Sequence, residues 1–136
     1  GNICRSPMAE FVLKDMLNGR DDVFVASAAT STEEIGNGVH PGTAGLLRRK
    51  GISTAGKRAV QMIRADYDEY DYIIGMDDWN IRNILRITGG DPERKVHKLL
   101  EFAGESGDIA DPWYTHDFET TYRDVLKGCE GLMREL

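Results

Sequence analysis

The stretch Gly1-Asn2-Ile3-Cys4-Arg5-Ser6-Pro7-Met8-Ala9-Glu10 reads as a tight loop running into a helix. Gly1 and Asn2 both tolerate left-handed backbone, and Ser6 followed by Pro7 is an N-cap with proline at the first helical position, so a helix is predicted from Pro7. Met8, Phe11, Val12 and Met16 then recur on one helical face, widened by Leu13 and Leu17, while Glu10, Lys14 and Asp15 fall largely on the other. Loop amides converging on a helix N-terminus suit an anion, and Arg5 beside the cap adds a planar fork for oxyanion oxygens. Read as local chemistry alone, the same residues serve equally well as a turn and a cap that bind nothing.

Downstream, Phe24 to Ala29 reads as a short strand and Thr30 to Gly38 as a loop. His40 and Pro41 open a helix through Ala44, Leu47 and Arg48 that Gly51 ends. Asp71 to Met76 is the clearest buried strand, and Asp77 to Arg86 a helix with Trp79, Ile81, Ile84 and Leu85, broken by Gly89 and Gly90. A weaker strand covers Lys95 to Leu99. The last helix spans Asp117 to Glu135, with Phe118, Tyr122, Val125, Leu126, Cys129 and Leu132 on one face. Strands alternating with helices call for an α/β fold with a parallel sheet and helices on both faces. At 136 residues the chain is expected to be a single domain, 1–136.

Acidic residues outnumber Lys and Arg by 23 to 17, a net charge of -6 that argues against nucleic acid or an anionic membrane as partner. An anionic ligand therefore needs a local positive field. No stretch is long and apolar enough to span a membrane, and the N-terminus lacks the pattern of a secretory leader. Cys4 and Cys129, the two cysteines, have neither disulfide-scaffold nor zinc spacing, and a reducing cytoplasm fits them best. His40, His97 and His116 show no mutual metal spacing, so neither a metal nor another cofactor is expected.

The opening string resembles the signature of the low-molecular-weight protein tyrosine phosphatases, Cys-x-Gly-Asn-x-Cys-Arg-Ser-Pro, which Gly1, Asn2, Cys4, Arg5, Ser6 and Pro7 match. The family's late Asp-Pro-aromatic segment is matched by Asp111, Pro112, Trp113 and Tyr114, and the likeness extends through Ser27 to Thr32 and Tyr70 to Asp77. The resemblance implies a three-layer fold with a four-stranded parallel sheet, whose first strand precedes Gly1 and carries the nucleophilic cysteine two positions before it. It implies hydrolysis of phosphotyrosine in a protein substrate through a phosphocysteine. Gly1, Asn2, Ile3, Cys4, Arg5 and Ser6 then form the phosphate-binding loop, which phosphate or sulfate is also expected to occupy. Arg5 stabilises the transferring phosphoryl group, and Asp111 serves as acid and then base. Asn2 locks the loop with Ser27 as partner, Ser6 supports the departing thiolate, and Trp113 and Tyr114 wall the substrate cleft. Cys4 corresponds to the family's second cysteine, which can protect the nucleophile as a disulfide. Without the nucleophile, the chain Gly1 to Leu136 is expected to be inactive.

Two departures stand out. Glu33 and Glu34 occupy the cleft wall where many relatives place an aromatic residue, and the segment near Lys57 lacks the histidine that often braces the loop. Protein arginine phosphatases share the scaffold but typically carry threonine where this chain has Ile3. Arsenate reductases of the same fold need further cysteines, and none lies between Ser27 and Cys129. A phosphate-binding module without catalysis is the remaining alternative, should the natural chain start at Gly1.

Overall fold

The computed structural model describes residues 1–136. Strand β1, Ile73–Gly75, and strand β2, Val96–Lys98, pair in parallel with Ile73 opposite Val96 and Gly75 opposite Lys98. Alternation along β1 sends Ile73 into one apolar cluster and Ile74 against another, so the sheet is covered on both faces. Helices α1 (Arg5–Met16), α2 (Pro41–Arg49) and α6 (Phe118–Met133) build the larger core with Met8, Leu46, Leu47, Val125 and Leu132. On the other face, α3 (Asp66–Glu69) and α4 (Asp78–Thr88) contribute Tyr67 and Ile84, which pack with Met62 and Ile73. This is the expected α/β architecture of helices around a parallel sheet.

Local chemistry explains where the elements begin and end. Asp77 caps α4 by accepting the Asn80 amide at 2.7 Å, and Gly89 closes that helix in the left-handed region at φ 77°. His40 caps α2 through Nδ1, which accepts the Gly42 N–H at 3.0 Å. A 3-10 turn, Leu99–Ala103, follows β2 directly, and the short α5, Pro112–Thr115, starts at the Asp111 cap.

Several expectations need correction. The sheet has two strands where three were expected within residues 1–136, the fourth of the expected sheet lying before Gly1. Phe24 to Ala29 is not a strand: it is extended, but only Ala29 bridges a neighbour, Gln61, through the Ala29 N–H to the Val60 carbonyl and the Met62 N–H to the Ala29 carbonyl. Extended backbone becomes a strand only where a second chain segment meets its amides and carbonyls, and that condition holds here at a single pair. The first helix starts at Arg5, before the expected Pro7, and its cap position is Cys4, with no side-chain cap bond. Ser6 lies inside the first turn, its hydroxyl accepting from Asn2 at 2.8 Å. Glu10, expected on the polar face, is buried.

The close approach of α6 to the 3-10 turn rests on two glycines. A Cβ at Gly128 would meet the Leu99 side chain at 2.5 Å, and one at Gly131 would collide with the Phe102 backbone. In an open helix, glycine to alanine gains up to about 1 kcal/mol. Where the methyl meets rigid backbone, overpacking costs about 1–3 kcal/mol and wins. Gly131→Ala is therefore expected to lower the urea midpoint with the slope unchanged, whereas Gly45→Ala in α2, facing only the Arg49 guanidinium at 3.8 Å, should raise it. Urea titration of both variants checks the pair, and a raised midpoint for Gly131→Ala would contradict this packing.

Candidate functional site

The loop before α1 is held from its second residue. Asn2 adopts φ 67°, a left-handed conformation that asparagine tolerates better than most residues. Its buried side chain is fully engaged: Nδ2 donates to Ser6 Oγ at 2.8 Å and Ser27 Oγ at 2.9 Å, and Oδ1 accepts the Val60 N–H at 3.1 Å. Asn2 thus ties the loop to the first turn of α1, to the extended segment at Ser27 and to the segment at Val60. The expected Asn2–Ser27 pairing is present as a direct hydrogen bond.

Behind Ser27 lies a charged layer that the sequence reading missed. Ser27 Oγ donates to Glu10 Oε1 at 2.6 Å, Lys14 Nζ donates to Glu10 Oε2 at 2.6 Å, and Lys57 Nζ stands 3.2 Å from Glu10 Oε1. Lys57 also donates to the Ser27 carbonyl at 2.9 Å. Burial alone would raise the Glu10 carboxyl, but the hydrogen bonds from Lys14 and Ser27 and the charges of Lys57 and Lys14 outweigh it and hold the carboxyl below its usual range. A sequence signal existed in Glu10 and Lys14, four residues apart with the acid first, the favourable helical order. In the segment that lacks a bracing histidine, Lys57 makes these contacts.

Arg5, at the start of α1, turns its guanidinium toward carboxylates from two later segments. Nη1 donates to Asp77 Oδ2 at 2.7 Å and to the Ile109 carbonyl at 2.7 Å, and Nη2 stands 3.7 Å from Asp111 Oδ2. Asp111 Oδ1 meanwhile accepts the Trp113 N–H at 3.0 Å, capping α5. Asp77 was not singled out from the sequence. The available signal was an acidic residue just past the clearest strand, since ligands of open α/β sheets gather at carboxyl ends.

Trp113 is half exposed and meets the His40 ring edge-on at 5.6 Å, with His40 stacked on Phe118 at 5.3 Å. Tyr114 is 78% exposed, so it lies at the rim. Glu34 comes close to Gly1, where a Cβ would stand 2.9 Å from its Cγ, and it accepts from Asn37 Nδ2 at 2.6 Å. Ile3 and Cys4 are buried together with Ala59. Burial, followed by the Asp111 charge, pushes the Cys4 thiol up to about 11, and burial pushes Cys129 up to about 12. Neither thiol has the depressed pKa of a reactive nucleophile. Arg5, Asp111, Asn2, Ser6 and Ser27 are thus brought together, with Trp113 beside them.

Fold and site together define an α/β protein with an arginine at a helix start, set between acidic side chains from two loops. The family model for low molecular weight phosphotyrosine protein phosphatases matches residues 1–136, and the chain belongs to that family. It is 38% identical over 143 residues to the low molecular weight protein-tyrosine-phosphatase YfkJ of Bacillus subtilis, covering 100% of this chain and 90% of that protein. The crystal structure of YfkJ matches with a TM-score of 0.94 over 99% of this chain and 88% of that one. The low molecular weight protein tyrosine phosphatase SP-PTP of Streptococcus pyogenes matches at 40% identity with a TM-score of 0.90, covering 100% of this chain and 87% of that structure.

The buried carboxylate makes a pH prediction. Because the folded-state pKa of Glu10 is depressed, its contribution is fully present above the unfolded value of about 4.5 and is lost as pH falls through the lower folded value. Glu10→Gln is expected to lose about 2 kcal/mol at neutral pH, through weakened bonds to Ser27, Lys14 and Lys57, and to show a shallower loss of stability below pH 4.5. Urea titrations at several pH values test this. Parallel acid limbs for the two proteins would remove Glu10 from the account.

Proposed function

We propose that this chain is the single-domain body of a cytoplasmic protein tyrosine phosphatase that hydrolyses phosphotyrosine in proteins through a phosphocysteine. One observation carries the reading: Arg5 Nη2 and Asp111 Oδ2 stand 3.7 Å apart at the start of α1 in a member of this family. The nucleophile is a cysteine two positions before Gly1. The raised thiols of Cys4 and Cys129 support that placement, since a thiol near 11 or 12 offers almost no thiolate at neutral pH.

In the first step the thiolate attacks phosphorus, the bond to the aryl oxygen breaks, and Asp111 passes its proton to the departing phenolate. Arg5 binds the equatorial oxygens with the loop amides from Gly1 to Ser6, and Asp77 fixes its orientation. In the second step water attacks phosphorus, its proton goes to Asp111, and the sulfur–phosphorus bond breaks to return the thiolate. Ser6 uses its oxygen to accept from Asn2, which leaves its own O–H to donate to that sulfur.

Trp113, braced by His40, provides one wall for the phenyl ring, and the acidic segment with Glu33 and Glu34 provides the other. Tyrosine is favoured over arginine as the dephosphorylated residue because Ile3, packed against Cys4 and Ala59, offers no hydroxyl to steer water onto a phosphoamidate. Inorganic phosphate or sulfate fits the same loop.

Two measurements test the reading. The polypeptide Gly1 to Leu136 should hydrolyse no 4-nitrophenyl phosphate, and turnover that persists in its Arg5→Ala, Asp111→Ala double variant would show that the mechanism is wrong. In the protein that carries the upstream cysteine, Asp111→Ala should slow phenyl phosphate by about 10²- to 10⁴-fold, with a smaller effect on 4-nitrophenyl phosphate, whose leaving group needs no proton.

A further inference from the structure

Asp111 ends an irregular segment, Gly104 to Ala110, whose position depends on anchors from other elements. The Ile109 N–H donates to the Met76 carbonyl at 2.9 Å, and Thr121 Oγ1 donates to the Ala110 carbonyl at 3.0 Å. The strongest charge concentration on the segment is centred on Lys98, the last residue of β2. Its ammonium donates to the Ser106 carbonyl at 2.6 Å and to Asp108 Oδ1 at 2.9 Å, and stands 2.9 Å from Asp78 Oδ1. Its side chain is 12% exposed, so the stem is packed while the head gathers three oxygens.

We propose that Lys98 is a positioning residue for the acid step, holding the segment that leads to Asp111 against the start of α4. The inference rests on Asp111 acting as the acid. Its geometry is specific: Asp78 is the neighbour of Asp77, which grips Arg5, and Asp108 lies three residues before Asp111. One ammonium therefore links the element that orients the arginine to the segment that carries the carboxyl. The Asp78 N–H adds a second link to Asp108 Oδ1 at 3.2 Å. Without a cation between them, the Asp78 and Asp108 carboxylates repel, and the segment is pushed off α4. The Arg5 contacts to Asp77 and the Ile109 carbonyl still hold the guanidinium, so phosphate binding is affected less than proton delivery.

The test compares Lys98→Met, Lys98→Arg and Asp111→Ala in the full-length protein with two esters, phenyl phosphate and 4-nitrophenyl phosphate. For Lys98→Met, kcat/KM on phenyl phosphate, which reports the first step alone, should fall by about tenfold or more and that on 4-nitrophenyl phosphate by less than about threefold. Lys98→Arg should restore the phenyl phosphate rate, because arginine can gather the same oxygens. Asp108→Asn, which removes one carboxylate without leaving an unpaired pair, should give a weaker form of the same leaving-group bias and serves if Lys98→Met does not fold. Equal losses on both esters, unchanged rates, or no rescue by arginine would overturn the proposal. If Asp111→Ala itself shows no leaving-group bias, the acid assignment fails and the proposal with it. A biased Asp111→Ala beside an unbiased Lys98→Met defeats the positioning role alone.

Discussion

The left-handed turn at Asn2 is the constraint on which the rest of the site depends. A non-glycine residue at φ 67° is held at a cost of about 1 kcal/mol or more, and three side-chain hydrogen bonds, each worth about 1 kcal/mol net, offset it. Those bonds reach Ser6, Ser27 and Val60, so one amide fixes the loop against α1 and two extended segments at once. Ser27 passes the constraint to Glu10, which Lys14 and Lys57 neutralise. The loop is thus held by a polar network in which each member has a partner, and removing one leaves its neighbours a hydrogen bond short.

On the open side of the loop, electrostatics set a second constraint. The chain carries a net charge of -6, and Arg5 faces both Asp77 and Asp111. Asp77 makes the shorter contact and acts as the arginine's structural counter-ion, while Asp111 stands farther off, at 3.7 Å. One guanidinium thus stands between two carboxylates at unequal distances. Arg5 and the loop before it lie at the start of α1, the positive end of the helix dipole.

Much of this was legible in the sequence because it is written in local chemistry. Asn2, Arg5 and Ser6 fall within one five-residue stretch, His40 and Pro41 open a helix as read, and the Asp111-Pro112 pair sits at the start of α5. What the sequence concealed depends on distant partners. Glu10 looks solvent-facing until Lys57 and Ser27 come to cover it, and Ser6 looks like a cap until Asn2 claims its hydroxyl. Phe24 to Ala29 has strand composition, yet a ladder needs a neighbour, and only Ala29 has one. Asp77 and Lys98 are ordinary charged residues in the linear text, and their roles emerge only when Arg5, Asp78 and Asp108 are brought to them.

The central claim is that a cysteine upstream of Gly1 attacks phosphorus while Arg5 and Asp111 serve it. Rapid quenching of the full-length protein with a radiolabelled aryl phosphate, followed by peptide mapping of the phosphoenzyme, tests it most directly. The account predicts a phosphothiol on the peptide that precedes Gly1, accumulating further in Asp111→Ala when the label comes from 4-nitrophenyl phosphate, whose leaving group needs no proton while water lacks its base. Label on Cys4 or on a histidine, or hydrolysis with no phosphoenzyme in either protein, would contradict it.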